Sequence, residues 1–184
     1  MIYVCTHKEP AYKLEGSITI DNTRSPLPEE YGHIRVIEIV SKMSNLPEEV
    51  GIFQQRRRLF HTSIPAGYEC VVPHNFCVCK IRDQYAACHG IEMLDIVEET
   101  INDDLFSIYI RIERNYECYW DNMLILKRDA FLEYAKFLLD ALEKKDKIAG
   151  PFQNRWLAER IGSFWIWKNI KLEKILVSNR IQID

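Results

Sequence analysis

The sequence predicts an α/β fold with a mostly parallel central sheet flanked by helices, in a single domain spanning residues 1–184. Short β-branched or aromatic runs alternate with longer segments whose apolar residues recur every three or four positions. Such alternation of strands and helices is typical of α/β proteins, in which crossover helices cover a parallel sheet. With 184 residues, 47% of them hydrophobic, the chain can bury one substantial core.

The strands are predicted where apolar runs end in turn residues or proline. They cover residues 2–5, 18–20, 50–53, 69–72, 120–126 and 175–177. Helices are predicted where the apolar positions keep helical spacing, at residues 28–42, 81–99, 129–145 and 156–168. Residues 106–112 fit a strand or a helix. The clearest helix is 129–145, with Phe131, Tyr134, Phe137, Leu138 and Leu142 on its apolar face.

The charge balance and the apolar runs limit the class of protein. The net charge of -3 provides no global positive field, which argues against a general nucleic-acid binder. The first residues do not have the form of a signal peptide. No apolar run reaches the roughly 20 residues that span a bilayer. A soluble, cytoplasmic protein is therefore expected.

Six cysteines raise the questions of disulfides and of zinc. They are Cys5, Cys70, Cys77, Cys79, Cys88 and Cys118. For a cytoplasmic chain, reduced thiols are expected rather than a disulfide framework. Four of these cysteines lie near His89 in sequence, but their spacing lacks the paired C-x-x-C arms of a structural zinc site. Small buried side chains are the favoured interpretation.

The most unusual segment is the end of the strand at 50–53, which runs into Gln54, Gln55 and the three arginines 56–58. Arginine pairs bidentately with phosphate, and open α/β sheets bind ligands at the carboxyl ends of their strands. An anionic site for a nucleotide-sugar diphosphate is one interpretation, and a solvated basic turn is the other. The chain has neither a G-x-G-x-x-G motif nor a P-loop.

Other polar residues lie beside predicted strands. His7 follows the first strand and could contact a base or phosphate, or lie on the surface. Asp21 and Asn22 could bind a ribose or sugar, or close an Asx turn.

At the head of the strand at 120–126, Trp120 could stack on a sugar ring while Asn122 pairs with its hydroxyls, or the segment could be a polar turn. Asp121 could act as a base toward the acceptor hydroxyl, and His89, whose usual pKa is near neutral, is a competing base or an ordinary helix residue. Arg155 and Glu159 have the spacing of a helix ion pair.

Five segments in order carry a resemblance. They are Ile2-Tyr-Val-Cys-Thr-His-Lys8, Val50-Gly-Ile-Phe-Gln-Gln-Arg-Arg57, Gln84-Tyr85 with His89 and Asp95-Ile96, Asn122-Met-Leu-Ile125, and Arg155 with Glu159, Arg160 and Trp165. Together they resemble a family of bacterial glycosyltransferase-like proteins from capsule and exopolysaccharide clusters, a former domain of unknown function with an H-Y-R-R motif. Gln54 and Gln55 replace the histidine and tyrosine of that motif, and a longer D-N-T-G-D-N-I-S loop is reduced to Asp21-Asn-Thr23.

The resemblance implies a GT-A-like fold, of the nucleotide-diphospho-sugar transferase type, and transfer of a sugar from a nucleotide-sugar to a glycan hydroxyl. Arg56 and Arg57 take the place of a metal-binding D-x-D, so no divalent metal or other cofactor is expected, and they would stabilise the leaving diphosphate. Asp121 or His89 would act as the base. The implied donor-binding residues are Thr6, His7, Asp21, Asn22 and Gln54, and the implied acceptor-binding residues are Tyr85, Trp120, Asn122, Arg155, Glu159 and Arg160.

Three alternatives remain open from the sequence. The acceptor could be a modified base in DNA, with arginines 56–58 and residues 80–82 following the phosphate backbone. The chain could instead bind a nucleotide-sugar without turning it over, since the motif residue at 54 and the loop after Asn22 depart from the family. The cysteines could also form a zinc-binding interaction module. The sequence predicts no oligomeric state.

Overall fold

The computed structural model describes residues 1–6, 12–22, 32–74, 119, 122–149 and 151–183, with the backbone alone at 144–149 and 151–157. The strands in this part are β1 Ile2–Thr6, β2 Ile18–Asp21, β3 Glu49–Gln54, β4 Arg57–Leu59, β5 Cys70–Pro73, β6 Leu124–Lys127, β7 Ile175–Ser178 and β8 Arg180–Gln182. The helices are α1 Gly32–Ser41, α2 Arg128–Ala149 and α3 Pro151–Asn169, followed by a 3₁₀ turn at Leu172–Lys174.

Six of these strands form one sheet in the order β2-β1-β3-β6-β5-β7. Strand β1 pairs in parallel with both β2 and β3, and β5 pairs in parallel with β7. Strand β6 is antiparallel to its neighbours β3 and β5, so the other five strands all point the same way. The prediction of a mixed α/β fold with a mostly parallel sheet is confirmed, and the reversed β6 is a feature that the sequence did not predict.

Alternate residues of the strands enter two apolar layers. Tyr3 and Ile52 belong to the larger layer, into which α1, α2 and α3 insert their apolar faces. Val4 and Phe53 point the other way, into a smaller layer with Leu59. The described helices therefore cover one face of the sheet. The covering described on the other face comes from segments around residues 12–14 and 59–64. Burial on both faces is what a mostly parallel sheet requires.

Helices α2 and α3 form a close antiparallel pair. Pro151 begins α3, which suits the first position of a helix because the missing N–H would have no partner there. A Cβ at Gly162 would stand 2.5 Å from the Tyr134 hydroxyl, so the absence of a side chain lets the phenol approach α3. The Tyr134 ring also meets Trp165 edge-on, with centroids 5.5 Å apart. Tyr134 and Trp165 are both buried and belong to the core.

A second, two-stranded sheet joins β4 to β8, with Arg57 opposite Gln182 and Leu59 opposite Arg180. Leu59 is fully buried, which anchors this small sheet to the main one. The sequence did not predict these strands, because each has three residues and β4 has the composition of a charged turn.

No helix in the described part of the chain is both long enough and apolar enough to cross a bilayer.

The helix predicted at 81–99, the ambiguous segment 106–112 and the start of the predicted 28–42 helix lie outside the described residues. So do Cys77, Cys79, Cys88 and Cys118.

Candidate functional site

The carboxyl ends of β1, β2 and β3 bring four predicted donor-binding residues to one edge of the sheet. Thr6 lies opposite Asp21 in the parallel register, and Gln54 lies opposite Cys5, one residue before Thr6. The Asn22 amide donates to the Thr6 carbonyl at 2.8 Å, so the two strands stay joined past their last paired residues. This edge is where open α/β sheets bind ligands.

Two polar side chains at this edge are buried, and one of them makes a hydrogen bond to the segment after β3. Thr6 and Asn22 are almost inaccessible to solvent, and the Thr6 hydroxyl donates to Gln55 Oε1 at 3.2 Å. That bond holds the side chain that follows β3 against the end of β1. Buried polar groups arranged in this way provide a fixed set of donors and acceptors for a polar ligand.

Asn122 reaches the same edge from the opposite direction. Because β6 is antiparallel, its first residue Leu124 pairs with Ile52 near the carboxyl end of β3. Two residues farther out, Asn122 has a backbone φ of 50°, in the left-handed region that asparagine tolerates better than most residues. Its side chain is 8% exposed, and Oδ1 is buried with no hydrogen bond to any described residue. A buried acceptor without a donor is costly and therefore points to a ligand that supplies one.

The predicted leaving-group arginines lie in the turn from β3 to β4. The Arg56 side chain is exposed, and its carbonyl accepts the Ile183 amide at 2.9 Å. Arg57 is half-buried at the start of β4, where its Nε donates to Gln182 Oε1 at 3.0 Å. The pairing of β4 with β8 therefore holds this turn at the site edge.

The Tyr12 hydroxyl holds the same turn through its backbone carbonyls. It lies 2.8 Å from the Gln54 carbonyl and 3.3 Å from the Arg57 carbonyl. Burial raises the pKa of Tyr12, and the positive charge of Arg58 offsets part of this effect. The phenol therefore keeps its proton and remains a hydrogen-bond donor to the backbone that positions Arg56.

Helix α3 contributes a buried guanidinium. Arg160 is 2% exposed, and its Nη1 lies 3.4 Å from Glu159 Oε2. The Ser163 hydroxyl accepts the Tyr119 amide at 2.8 Å and donates to the Glu159 carbonyl at 2.6 Å. This portion of α3 is therefore joined to the chain three residues before Asn122. Arginine is rarely so buried unless it is paired, which makes Arg160 a structural or ligand-binding element rather than a surface charge.

One pair of polar residues at this edge was missed by sequence reasoning. Ser178 ends β7 opposite Pro73, is 1% exposed, and places its Oγ 3.0 Å from His61 Nδ1. The Ser178 carbonyl also accepts the His74 amide at 2.8 Å. The available signal was the position of Ser178 directly after a predicted strand. The partner could not be predicted, because His61 lies 117 residues away in the chain.

The two described cysteines are free and buried. Burial, with a smaller contribution from the negative charge of Glu69, raises the pKa of Cys70 to about 12. Zinc ligation requires a thiolate, so this environment favours the interpretation of Cys70 as a small apolar side chain. Among the residues that the structure describes, no three His, Cys, Asp or Glu side chains are grouped to hold a metal ion.

A cavity of about 510 Å³ lies at the opposite edge of the sheet, away from the predicted site residues. It is lined by Met1, Tyr3 and Arg128, among others. These residues stand at the amino end of β1 and the carboxyl end of the reversed β6. Chemistry at this cavity would use none of the predicted site residues.

Several predicted site residues lie outside the described part of the chain. They are His7, Tyr85, His89, Trp120 and Asp121, together with the side chain of Arg155. Their roles stay predictions. The described members form a continuous set at the sheet edge, from Asp21 through Thr6 and Gln54 to Asn122.

The fold and the sequence both have known relatives. Over its whole length the chain superposes on the WbbM bifunctional glycosyltransferase, with a TM-score of 0.73 and 17% identity. The match covers 45% of that protein, so the chain spans less than half of its length, and at this identity the likeness shows the fold alone. No curated protein matches the chain significantly. Residues 54–155, more than half of the chain, match the family model described as Domain of unknown function (DUF4422). The chain therefore belongs to the DUF4422 family.

Proposed function

We propose that this chain is a glycosyltransferase that moves a sugar from a nucleotide-sugar to an acceptor hydroxyl. The observation that carries the proposal is the buried Oδ1 of Asn122, which accepts no hydrogen bond from any described residue, at the sheet edge where Thr6, Asn22 and Gln55 converge. A sugar or ribose hydroxyl would donate to that oxygen, since a hydroxyl is a compact donor. The shared fold with a bifunctional glycosyltransferase supports the same assignment.

In the proposed reaction, the acceptor oxygen bonds to the anomeric carbon of the donor while the bond from that carbon to the diphosphate breaks. The acceptor proton passes to Asp121 or His89, and the electron pair of the broken bond stays on the diphosphate. Arg56 and Arg57 would face the growing negative charge, and their guanidinium groups would supply without a divalent metal the stabilisation that the leaving group needs. The proposed fold type is GT-A.

The remaining edge residues would hold the donor. Thr6, Asp21, Asn22 and Gln54 lie on three adjacent strand ends, and with His7 they would bind the nucleotide. Asn122, with Tyr85 and Trp120, would bind the sugar or acceptor. Arg160 and Glu159, joined through Ser163 to the chain before Asn122, would support the acceptor side, where Arg155 would also contribute. The proposed acceptor is a glycan, and the proposed location is cytoplasmic.

The first experiment is a thermal-shift screen against UDP-, GDP-, CMP- and dTDP-sugars, with Mn²⁺ or with EDTA. A ligand that binds the folded state raises Tm by mass action. We expect a shift with one nucleotide class that EDTA leaves unchanged. Absence of any shift at millimolar ligand would refute the donor site, whereas a shift that requires Mn²⁺ would refute metal independence alone.

Transfer is then measured with the nucleotide-sugar that binds. Arg56→Ala or Arg57→Ala should lower kcat by about a hundredfold, the typical effect of removing one group that stabilises developing charge. Arg128→Ala is the matched control, because Arg128 lies at the other edge of the sheet, and it should retain full activity. Full activity in both site variants would refute the leaving-group role. Donor binding without transfer in the wild-type chain would instead identify a binding protein on this fold.

A further inference from the structure

The end of α3 and the turn that follows expose large apolar side chains among lysines. Trp167 is 40% exposed and Leu172 is 73% exposed, the largest value among the described large apolar residues. Lys168 and Lys171 are exposed beside them, and Lys174 follows. We call these five residues the basic aromatic patch. It borders a groove of about 390 Å³.

The patch is held rigidly by the fold. Ile170 is buried between the two exposed apolar residues, and its amide closes the last turn of α3 on the Ile166 carbonyl at 2.9 Å. The 3₁₀ turn is closed by the Lys174 amide on the Lys171 carbonyl at 2.8 Å. Strand β7 begins directly after this turn and pairs with β5. Leu172 therefore projects from a turn that is held by hydrogen bonds on both sides.

The charge of the patch differs from that of the whole chain. Residues 167–174 contain three lysines and one acidic residue, Glu173, whereas the whole chain carries a net charge of -3. Tryptophan and leucine bury their apolar area at the headgroup level of a bilayer, and lysine contacts anionic headgroups with its ammonium while its stem lies on apolar surface. The apolar and positively charged side chains of the patch are therefore complementary to the surface of an anionic membrane.

We propose that the basic aromatic patch binds the surface of membranes rich in anionic lipids, with Trp167 and Leu172 entering the headgroup region. The complementary charges favour this surface over a neutral membrane. The exposed leucine favours it over a nucleic acid, which would use the lysines but have no role for Leu172. This inference does not depend on the proposed glycosyltransferase activity.

The test is co-sedimentation of the full chain with phosphatidylcholine vesicles that contain or lack about a third of phosphatidylglycerol. Each lysine near an anionic surface contributes about fivefold to the partition coefficient. Lys168→Glu with Lys171→Glu should therefore reduce binding by at least about twenty-fivefold. Leu172→Ser removes apolar insertion at a side chain too exposed to affect folding, and it should also reduce binding severalfold.

The matched controls are Leu132→Ala and Lys136→Glu, which alter an exposed leucine and an exposed lysine on α2. They should leave vesicle binding unchanged. The proposal is overturned if the wild-type chain does not bind anionic vesicles, or if the controls reduce binding as much as the patch variants. It is also overturned if Leu172→Ser binds normally while a DNA duplex competes with the vesicles, because the patch would then be a polyanion site. Brominated lipids should quench wild-type tryptophan fluorescence more strongly than that of Trp167→Phe.

Discussion

Replacing Asn122 should separate stability from ligand binding. In the left-handed conformation at φ 50°, a residue with a Cβ is strained by about 1 kcal/mol, less for asparagine, and glycine avoids this strain. Removing the buried Oδ1, which has no donor among the described residues, removes a desolvation penalty of about 1–3 kcal/mol from the folded state. Glycine lowers the free energy of unfolding by about 0.5–1 kcal/mol, because its unfolded state is more flexible. Asn122→Gly should therefore raise the free energy of unfolding by about 1 kcal/mol.

The matched variant is Asn122→Ala, which also removes the oxygen but keeps a Cβ at the same φ. It should be less stable than Asn122→Gly by up to about 0.5 kcal/mol, because the strain of alanine in this conformation slightly exceeds the unfolded-state entropy that glycine loses on folding. Both variants should bind the nucleotide-sugar about two- to tenfold more weakly, the effect of losing one hydrogen bond of about 0.5–1.5 kcal/mol.

Urea unfolding measures the first effect. With an m-value of about 2 kcal/mol/M, a gain of about 1 kcal/mol raises the midpoint by about 0.5 M. Isothermal titration with the nucleotide-sugar measures the second. If both variants are less stable than the wild type by more than about 1 kcal/mol, the oxygen is satisfied in the native state and the reasoning is wrong. If Asn122→Gly is more stable and binds the donor normally, Asn122 does not face the ligand.

Three further predictions concern the rest of the molecule. Gly162→Ala should lower the free energy of unfolding by about 1–3 kcal/mol in urea melts, because a Cβ would clash with Tyr134; unchanged stability would show that the phenol moves freely. Hydrogen bonding to Lys42, with a further contribution from Arg35, lowers the pKa of Glu38. The ionised carboxylate therefore stabilises the folded protein fully above the unfolded-state pKa of Glu38, and this stabilisation is lost as the pH falls through the folded-state pKa. Glu38→Gln should therefore be less stable than the wild type at pH 7 and equal to it at pH 2 in thermal melts, whereas a pH-independent difference would contradict the linkage. Iodoacetamide at pH 8 should leave Cys70 unmodified in the folded protein and label it in urea, as measured by peptide mass spectrometry, because burial raises the pKa of Cys70 to about 12.

The parallel part of the site could be predicted from local sequence. The β-branched run at β1 and the apolar run at β3 identify buried strands, and a mostly parallel sheet places their carboxyl ends together. The meeting of Thr6 and Gln54 at one edge follows from these two facts, and the structure also places Asp21 there, at the end of β2; the donor-binding roles of these residues stay predictions.

The remainder depends on pairings between distant segments, which local periodicity does not encode. An apolar run has no direction, so the reversal of β6 could not be read from residues 124–127. Strands β4 and β8 are too short for a period-2 pattern to appear, and their pairing is fixed by tertiary contacts. The same reason explains why the pairing of His61 with Ser178 was not predicted, and apolar periodicity carries no information on the left-handed backbone of Asn122.

The reversed strand β6 also has a consequence for the kinetics of folding. It joins two parallel units, β2-β1-β3 and β5-β7, and its partners in β3 lie more than 70 positions earlier in the chain. Closing so long a loop is slow, so the central pairing should form late in folding, and the sheet edge around Asn122 cannot be complete before it. A ligand that contacts residues on both sides of this junction would stabilise the native state against separation of the two units. It should therefore slow unfolding more than it accelerates folding.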